Sequence, residues 1–306
     1  MRNVFIDKKL EKEFQENGFV KVPFLNEEKV EYLKNTFFEL VKESGGINVP
    51  GEVLGDVNYE VTYDFTFIDK NIDYKKKTFR KINEVFEPIY KEILDNYKPI
   101  IGNFIRKKKD AGEVPLHQNW AFADEEKCST VSIWVPLVDS NVENGTLQVV
   151  PKSHKRFGKT RGPIVPWELE EIKGNIIENH LVPLETKAGD AVILDDSIVH
   201  YSAINKTEGL RLTIQLILIP NEFPSIHYHM NPSISNEKIE VLEVDHEFYM
   251  NFNPWKLPEG EKRIKEVGFN EKPISEKDFI KRIKGPRFDK YHKPILKRAF
   301  EKFGFS

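Results

Sequence analysis

The sequence is poor in cysteine and has no excess of charge of either sign. Cys128 is the only cysteine among 306 residues, which excludes an internal disulfide framework and is typical of a reducing cytoplasm. The 46 Lys and Arg residues are balanced by 49 Asp and Glu residues. Since no tail or stripe is strongly basic, we do not expect nucleic acid as a partner.

Long hydrophobic runs are also missing. The N-terminal segment 1–14 is charged throughout and lacks the apolar core of a signal peptide. The apolar stretch at 212–219 is interrupted by Thr213 and Gln215 and is too short to cross a bilayer. No glycine-rich loop leads into a helix, so the chain has no recognisable phosphate cradle. We expect a cytoplasmic protein with no membrane partner.

The first hundred residues show mainly helical periodicity. They predict a short helix over 11–17 that Gly18 ends, a strand over 19–24, and long helices reaching about 44 and spanning about 74–97. Asn26 is the expected N-cap of the first long helix. Pro88 falls inside the second and should kink or break it.

From Pro99 onward the pattern changes to short β-rich runs separated by Gly, Asn, Asp and Pro. These runs lie at 100–107, 131–138, 146–150, 181–186, 190–195 and 211–219. Helices followed by many short strands predict a mostly-β fold, a double-stranded β-helix (jelly roll, cupin-like) with packed N- and C-terminal helices.

We expect one domain over residues 1–306, because no flexible linker divides the chain. Its parts are a mainly helical segment 1–98, the jelly-roll core 99–220 and a helical or loop extension 221–306. A last helix is expected over 294–303, since Pro294 suits a first helical position and Gly304 follows.

Two polar residues follow Pro115 in a pattern suited to a metal site. His117 and Asn119 are two positions apart, and residues so spaced on a strand point to the same face. Alone this pair is a weak signal, but Leu116 and Trp120 flank it with bulky groups that limit access of water. The pair therefore predicts a polar site inside the barrel.

A second histidine and an arginine follow further along the chain. His200 comes after the Gly189-Asp190 turn and an apolar strand, and Arg211 opens the next strand. On that strand Arg211, Thr213 and Gln215 should share one face, while Leu212, Ile214 and Leu216 fill the other. A guanidinium that faces the interior needs an anion, and a carboxylate fits it best.

Several short motifs surround these residues in a fixed order. They are Gly18-Phe19-Val20, Pro23-Phe24-Leu25, Leu116-His117-Gln118-Asn119-Trp120, Asp124-Glu125, Trp134-Val135-Pro136-Leu137, Asn144-Gly145-Thr146-Leu147, Pro151-Lys152-Ser153-His154, Gly189-Asp190, His200, Asn205 and Arg211. Over roughly residues 10–220 the sequence thereby resembles the phytanoyl-CoA dioxygenase (PhyH) family of Fe(II)- and 2-oxoglutarate-dependent oxygenases.

The resemblance implies the cofactors Fe(II), 2-oxoglutarate and O2, and it assigns roles to individual residues. His117 and His200 correspond to the imidazole ligands, Asn119 occupies the place of the aspartate ligand, and Arg211 corresponds to the partner of the distal 2-oxoglutarate carboxylate. Further expected contacts are Thr213, Asn103 and Trp134 for the cosubstrate, Trp120 and Phe122 for the substrate, and His154 within a structural turn.

Asn119 leaves three interpretations open, which we rank in this order. The first is an oxygenase that hydroxylates an aliphatic carbon of a small-molecule or carrier-bound substrate, with Asn119 a weak ligand or water in its place. The second is a catalytically impaired or non-catalytic jelly roll that binds 2-oxoglutarate or substrate, the Asp-to-Asn exchange being natural or engineered. The third is a halogenase, although related halogenases have Gly or Ala at this position and Asn is as bulky as Asp.

Two other polar segments are expected to stay outside the site. The run Lys107-Lys108-Lys109 is typical of a solvated strand end, and His227-Tyr228-His229 favours a surface or lid role because no third ligand lies nearby in the sequence. The oligomeric state is open.

Overall fold

The computed structural model describes residues 2–46, 64–231, 235–253 and 256–290. The helix expected over 294–303 therefore lies outside the described residues. The helices of the described part are α1 (Lys8–Asn17), α2 (Glu27–Leu40), α3 (Ile72–Ile93), α4 (Lys173–Asn179), α5 (His246–Asn251) and α6 (Glu276–Lys284). None of these helices is long and apolar enough to cross a membrane.

The ends of the N-terminal helices follow the signals in the sequence. Helix α1 ends at Gly18, whose φ of 87° is a left-handed conformation that favours glycine. At the start of α2, the side chain of Asn26 accepts a hydrogen bond of 3.0 Å from the Lys29 amide. Both predictions are confirmed.

Of the kink or break predicted at Pro88 in the second long helix, the break is wrong. Helix α3 runs without interruption from Ile72 to Ile93 and includes Pro88. Proline removes one backbone hydrogen bond, but Ile82, Phe86 and Tyr90 on the same helix are buried in the main core. Burial of these three side chains outweighs the local loss, so tertiary packing holds the helix together.

The core consists of two antiparallel sheets. The first contains β1 (Phe19–Pro23), β2 (Asp64–Phe65), β3 (Tyr97–Lys107), β5 (Val131–Pro136), β8 (Asp190–Asp195) and β10 (Arg211–Pro220), in the order β1-β8-β5-β10-β3-β2. The second contains β4 (Val114–His117), β6 (Gln148–Val149), β7 (Val182–Pro183) and β9 (His200–Ser202), in the order β4-β9-β6-β7. The predicted jelly-roll fold with packed helices is confirmed, and among the described strands the sheets do not close into a barrel.

The two faces of the six-stranded sheet have different roles. On β10, Leu212, Ile214 and Leu216 pack into the main hydrophobic core with residues of α2 and α3. Arg211 and Gln215 line the cavity on the opposite face. The alternation predicted for this strand is confirmed, and it turns the polar face of the sheet toward the site.

A third sheet lies in the C-terminal part, for which the sequence predicted only helices and loops. Its strands are β11 (Ser225–His229), β12 (Lys238–Val244) and β13 (Lys262–Gly268), paired antiparallel in that order. Strand β13 reads KRIKEVG and has no buried residue. The prediction missed the sheet because this outer strand lacks the alternation of apolar and polar residues that identifies a half-buried strand.

Candidate active site

A cavity of about 510 Å³ lies between the two jelly-roll sheets. Residues from β3, β4, β5, β8, β9 and β10 line it, and the segment 158–173 also contributes. The cavity contains both predicted histidines, Asn119 and Arg211. The structure thus brings together residues that are up to 94 positions apart in the sequence.

The two histidines face each other across neighbouring strands. His117 on β4 is paired with His200 on β9, and their ring centroids are 4.1 Å apart. Each Nδ1 lies against a backbone carbonyl, at 2.7 Å from Pro115 O and 2.9 Å from Ile198 O. Because a carbonyl only accepts hydrogen bonds, both Nδ1 atoms carry the proton and both Nε2 atoms keep a free lone pair.

Both imidazoles are held in the neutral form. Burial lowers the pKa of His117, and its hydrogen bond to the Pro115 carbonyl opposes this shift. Burial also lowers the pKa of His200 well below its usual value, and the nearby His117 adds to the effect. Neutral imidazole is the form that binds a metal.

Asn119 lies just beyond the end of β4 and is tightly held. Its amide nitrogen donates to Asp196 Oδ1 at 2.8 Å and to Ser132 Oγ at 3.1 Å. Its amide oxygen is left on the side of His117, close enough to affect the pKa of that imidazole. An amide oxygen and two imidazoles therefore face one region of the cavity.

Carboxylates do not complete this cluster. In residues 2–46, 64–231, 235–253 and 256–290, no group of three His, Cys, Asp or Glu side chains is arranged to hold a metal ion. The two acidic residues that follow the motif are both paired, Asp124 with Lys127 at 2.8 Å and Glu125 with Arg161 at 2.7 Å. Among the described residues, Asn119 is the side chain placed to give a metal between the histidines a third protein ligand.

Arg211 is a buried cation with neutral partners. Its side chain is 2% exposed, and its guanidinium donates to Thr213 Oγ1 at 3.1 Å, to Gly145 O at 2.7 Å and to Ser202 Oγ at 2.8 Å. Its Nε has no partner, and no ion pair of the described residues includes it. Burial lowers the pKa of Arg211 to about 9. A buried guanidinium in a cavity, without a carboxylate, is suited to bind an anionic ligand.

The residues expected beside Arg211 divide into two groups. Asn103 on β3 and Trp134 on β5 line the cavity, and the Trp134 ring lies 5.6 Å from the guanidinium carbon of Arg211. The buried Oδ1 of Asn103 has no partner. Thr213 does not line the cavity; its hydroxyl accepts from Arg211 and donates to Ile105 O at 3.3 Å. Thr213 is thus placed to orient the arginine.

Gly145 shows why a glycine precedes Thr146 in this turn. Its φ is 74°, and a Cβ at this position would lie 2.2 Å from the Ala203 carbonyl oxygen. A side chain is therefore excluded on two grounds, backbone conformation and space. The close approach brings the Gly145 carbonyl to Arg211 and Ser202, which both donate to it.

The other end of the cavity carries a buried ion pair. Arg161 forms two parallel hydrogen bonds with Glu125, at 2.7 and 2.8 Å, and its Nε donates to the Asn119 carbonyl at 2.7 Å. Burial lowers the pKa of Arg161, but the Glu125 carboxylate outweighs it and the pKa is raised. Trp120 and Phe122, the predicted substrate residues, also line the cavity.

Sequence reasoning missed Asp196 and misjudged Lys107. Lys107 is fully buried, its amine donates to the Ser202 and Ala203 carbonyls at 3.1 and 2.6 Å, and burial lowers its pKa to about 5. The expected solvated strand end is wrong for this residue. Lys107 pairs with Arg211 in the register of β3 and β10, and no local signal in the sequence indicates this pairing.

The other three histidines singled out from the sequence do not line the cavity. His154 is buried and its Nε2 lies 2.8 Å from Arg287 Nη1, which agrees with the structural turn expected for it. His227 and His229 are also buried, at 2% and 7% exposure, so the expected surface role is wrong. The ring of His227 packs among Trp120, Phe248 and Phe252 instead.

Comparison with known proteins gives a family match. The family model described as phytanoyl-CoA dioxygenase (PhyH) matches residues 14–213, more than half of the chain. The matched range contains all cavity-lining residues of the two jelly-roll sheets except Gln215 and Ile217, which lie on β10 beyond residue 213. The motifs on which the resemblance rested lie within it.

Individual relatives agree with this match. A Dictyostelium discoideum protein named phytanoyl-CoA dioxygenase domain-containing protein 1 homolog is 29% identical over 209 residues, which cover 65% of this chain and 72% of that protein. Phytanoyl-CoA dioxygenase 1 of Oryza sativa subsp. japonica is 30% identical over 122 residues, which cover 36% of this chain and only 40% of that protein.

A solved structure shows a similar fold. It is the epimerase SnoN in complex with Fe3+, alpha ketoglutarate and nogalamycin RO, with a TM-score of 0.51 and 20% sequence identity. The likeness covers 71% of this chain and 85% of that one. It shows a shared fold.

Proposed function

Because the chain belongs to the phytanoyl-CoA dioxygenase family of Fe(II)- and 2-oxoglutarate-dependent oxygenases, we propose that it hydroxylates an aliphatic carbon of a small-molecule or carrier-bound substrate. One observation carries this proposal. A buried arginine without a carboxylate partner shares a cavity with two neutral histidines that face each other.

The donor set fits a divalent transition metal. We assign Nε2 of His117, Nε2 of His200 and Oδ1 of Asn119 as the protein ligands of Fe(II), with water as the alternative to Asn119. The carbonyls of Pro115 and Ile198 hold the rings in the tautomer that leaves Nε2 free. When bound, Fe(II) together with 2-oxoglutarate supplies the oxygen activation on which this family depends.

Arg211 is the proposed partner of the distal carboxylate of 2-oxoglutarate. The planar guanidinium matches a carboxylate, and its unpartnered Nε gives a donor for it. Asn103 and Trp134 line the same part of the cavity and are proposed cosubstrate contacts. Thr213 is proposed as a positioning residue, because its hydroxyl holds Nη1 of Arg211.

The apolar side of the cavity suits the substrate carbon. Trp120 and Phe122 line it together with Phe67 and Ile217, so an aliphatic group entering there would leave water. The SnoN structure contains a small-molecule ligand, nogalamycin RO, in the same fold. Such a cavity supports a substrate whose reacting part is apolar.

The second candidate is a non-catalytic protein that binds 2-oxoglutarate or substrate, and the neutral Asn119 is the observation that favours it. Halogenation is less well supported. The amide nitrogen of Asn119 is held by Asp196 and Ser132, so the side chain stays where a halide would have to bind.

Succinate release tests the proposal. The protein is supplied with Fe(II), ascorbate and 2-oxoglutarate, and succinate is measured for the wild type and for His200→Ala. We expect slow release without any substrate, through uncoupled turnover, and none from the variant, which lacks one imidazole ligand. Binding of 2-oxoglutarate with no succinate from the wild type would contradict the oxygenase and support the binding protein.

A further inference from the structure

We propose that Asp196 is a positioning residue for the metal ligand Asn119, and that its carboxyl group acts on the metal through Asn119, one hydrogen bond away from the place that the family's aspartate ligand occupies. The inference rests on the proposed function, since it concerns the same metal. It starts from the contact between the Asn119 amide nitrogen and Asp196 Oδ1 at 2.8 Å.

The neighbours of Asn119 fix the orientation of its amide group. Ser132 donates its only hydroxyl proton to Asp196 Oδ1 at 2.6 Å, so its oxygen is left to accept from Asn119. Asp196 Oδ1 accepts from both. A rotated amide would place its oxygen against the carboxylate oxygen, and two acceptors repel each other. The network therefore directs Oδ1 of Asn119 away from Asp196 and toward the histidines.

The carboxylate also acts on the amide itself. Asp196 is completely buried, so water does not weaken its hydrogen bond to Asn119. A carboxylate that accepts from the amide nitrogen polarises the group and increases the negative charge on the amide oxygen. An outer hydrogen-bond partner of this kind orients a metal ligand and increases its donor strength. Asp196 thus supplies part of what an aspartate at position 119 would supply directly.

The adjacent residue offers a matched control. Asp195 is as completely buried as Asp196, but its Oδ1 accepts from the Ser197 amide at 2.9 Å and from the Ser197 hydroxyl. It makes no hydrogen bond to Asn119. Replacing Asp195 by Asn removes a buried carboxylate from the same turn and leaves the Asn119 contact intact.

Thermal unfolding of the metal-free protein, with chelator present, tests the pair without any enzyme activity. Asn119→Asp places two buried carboxyl groups in contact, so that the pair must either bear two repelling charges or bind an extra proton, and both cost stability. We expect its Tm to fall by roughly 5 °C or more. The exchange Asn119→Asp/Asp196→Asn restores one carboxylate and one amide, so its Tm should return to within about 2 °C of the wild type. An Asn119→Asp protein as stable as the wild type would overturn the proposal.

Calorimetric titration with Ni2+ tests the effect on the metal. We expect Asp196→Asn to weaken Ni2+ binding at least about 10-fold, the exchanged pair to bind as tightly as the wild type or more tightly, and Asp195→Asn to stay within about 3-fold. Equal affinities of Asp196→Asn and Asp195→Asn, while the wild type binds Ni2+, would overturn this inference alone. A wild type that binds no Ni2+ would contradict the proposed function itself, and the unfolding result would then describe a structural pair only.

Discussion

The cavity contains two buried arginines, and they differ in what surrounds them. Arg161 pairs with Glu125 through two hydrogen bonds, and Glu271 lies close enough for the Arg161 charge to lower its pKa. Arg211 contacts two hydroxyls and a carbonyl, with no carboxylate among its hydrogen-bond partners. Both arginines are buried, at 6% exposure for Arg161 and 2% for Arg211.

The difference separates a structural arginine from a ligand-binding one. A buried cation that is paired with a carboxylate of the same chain needs no ligand to balance its charge. Arg161 also donates a hydrogen bond to the Asn119 carbonyl, which holds that carbonyl in place. A buried cation without a carboxylate is left with a cost that only an anionic ligand removes. Burial does not distinguish the two arginines. The absence of a carboxylate partner at Arg211 therefore indicates a ligand-binding role there.

Replacement of Arg161 should have the largest effect on folding. Arg161→Met leaves Glu125 buried without its partner, which costs about 3–5 kcal/mol. We expect the free energy of unfolding in urea to fall by that amount. Arg211→Met removes a charge that has no carboxylate, so its stability should change by less than about 1 kcal/mol or increase. Equal losses in the two variants would break the distinction between the arginines.

Glu271 gives a smaller effect that depends on pH. Burial and the nearby Glu168 raise the pKa of Glu271 from 4.5 to about 7. Between these values the folded protein binds more protons than the unfolded chain, so this group makes stability fall as the pH rises. Glu271→Gln should therefore be about 1–2 kcal/mol more stable than the wild type at pH 8 and no more stable at pH 4. A gain that is the same at both pH values would exclude this carboxyl as the cause.

Thr213 should give the smallest effect, on ligand binding. Thr213→Val keeps the side-chain shape and removes the hydroxyl that accepts from Arg211, which costs about 1 kcal/mol, or about fivefold in 2-oxoglutarate affinity. Thr213→Ser keeps the hydroxyl and should bind 2-oxoglutarate as the wild type does. If the Val and Ser variants have the same affinity, Thr213 does not position the arginine.

Local signals in the sequence predicted much of the fold and most of the proposed site. Asn26 and Gly18 act through contacts within a few residues, and alternation on β10 predicts a single face for Arg211 and Gln215. Such features depend on nearby chain alone. The jelly roll could therefore be predicted before its strand pairing was known.

The features that could not be predicted depend on distant parts of the chain. Helix α3 passes through Pro88 because its apolar face packs on the sheet, and strand β13 is recognised only by its pairing with β12. Asp196 lies 77 positions from Asn119, and no local pattern relates the two. Identifying Asp196 as the hydrogen-bond partner of Asn119 therefore required the tertiary structure.

The central claim is that Arg211 binds the distal carboxylate of 2-oxoglutarate. Measuring the affinity for 2-oxoglutarate tests this claim most directly. Calorimetric titrations in the presence of Ni2+, which avoids turnover, compare the wild type with Arg211→Met and with Arg106→Met, a control arginine whose guanidinium lies over Phe37. We predict that Arg211→Met loses at least about 100-fold in affinity and Arg106→Met at most about twofold. Unchanged 2-oxoglutarate affinity in Arg211→Met would contradict the account.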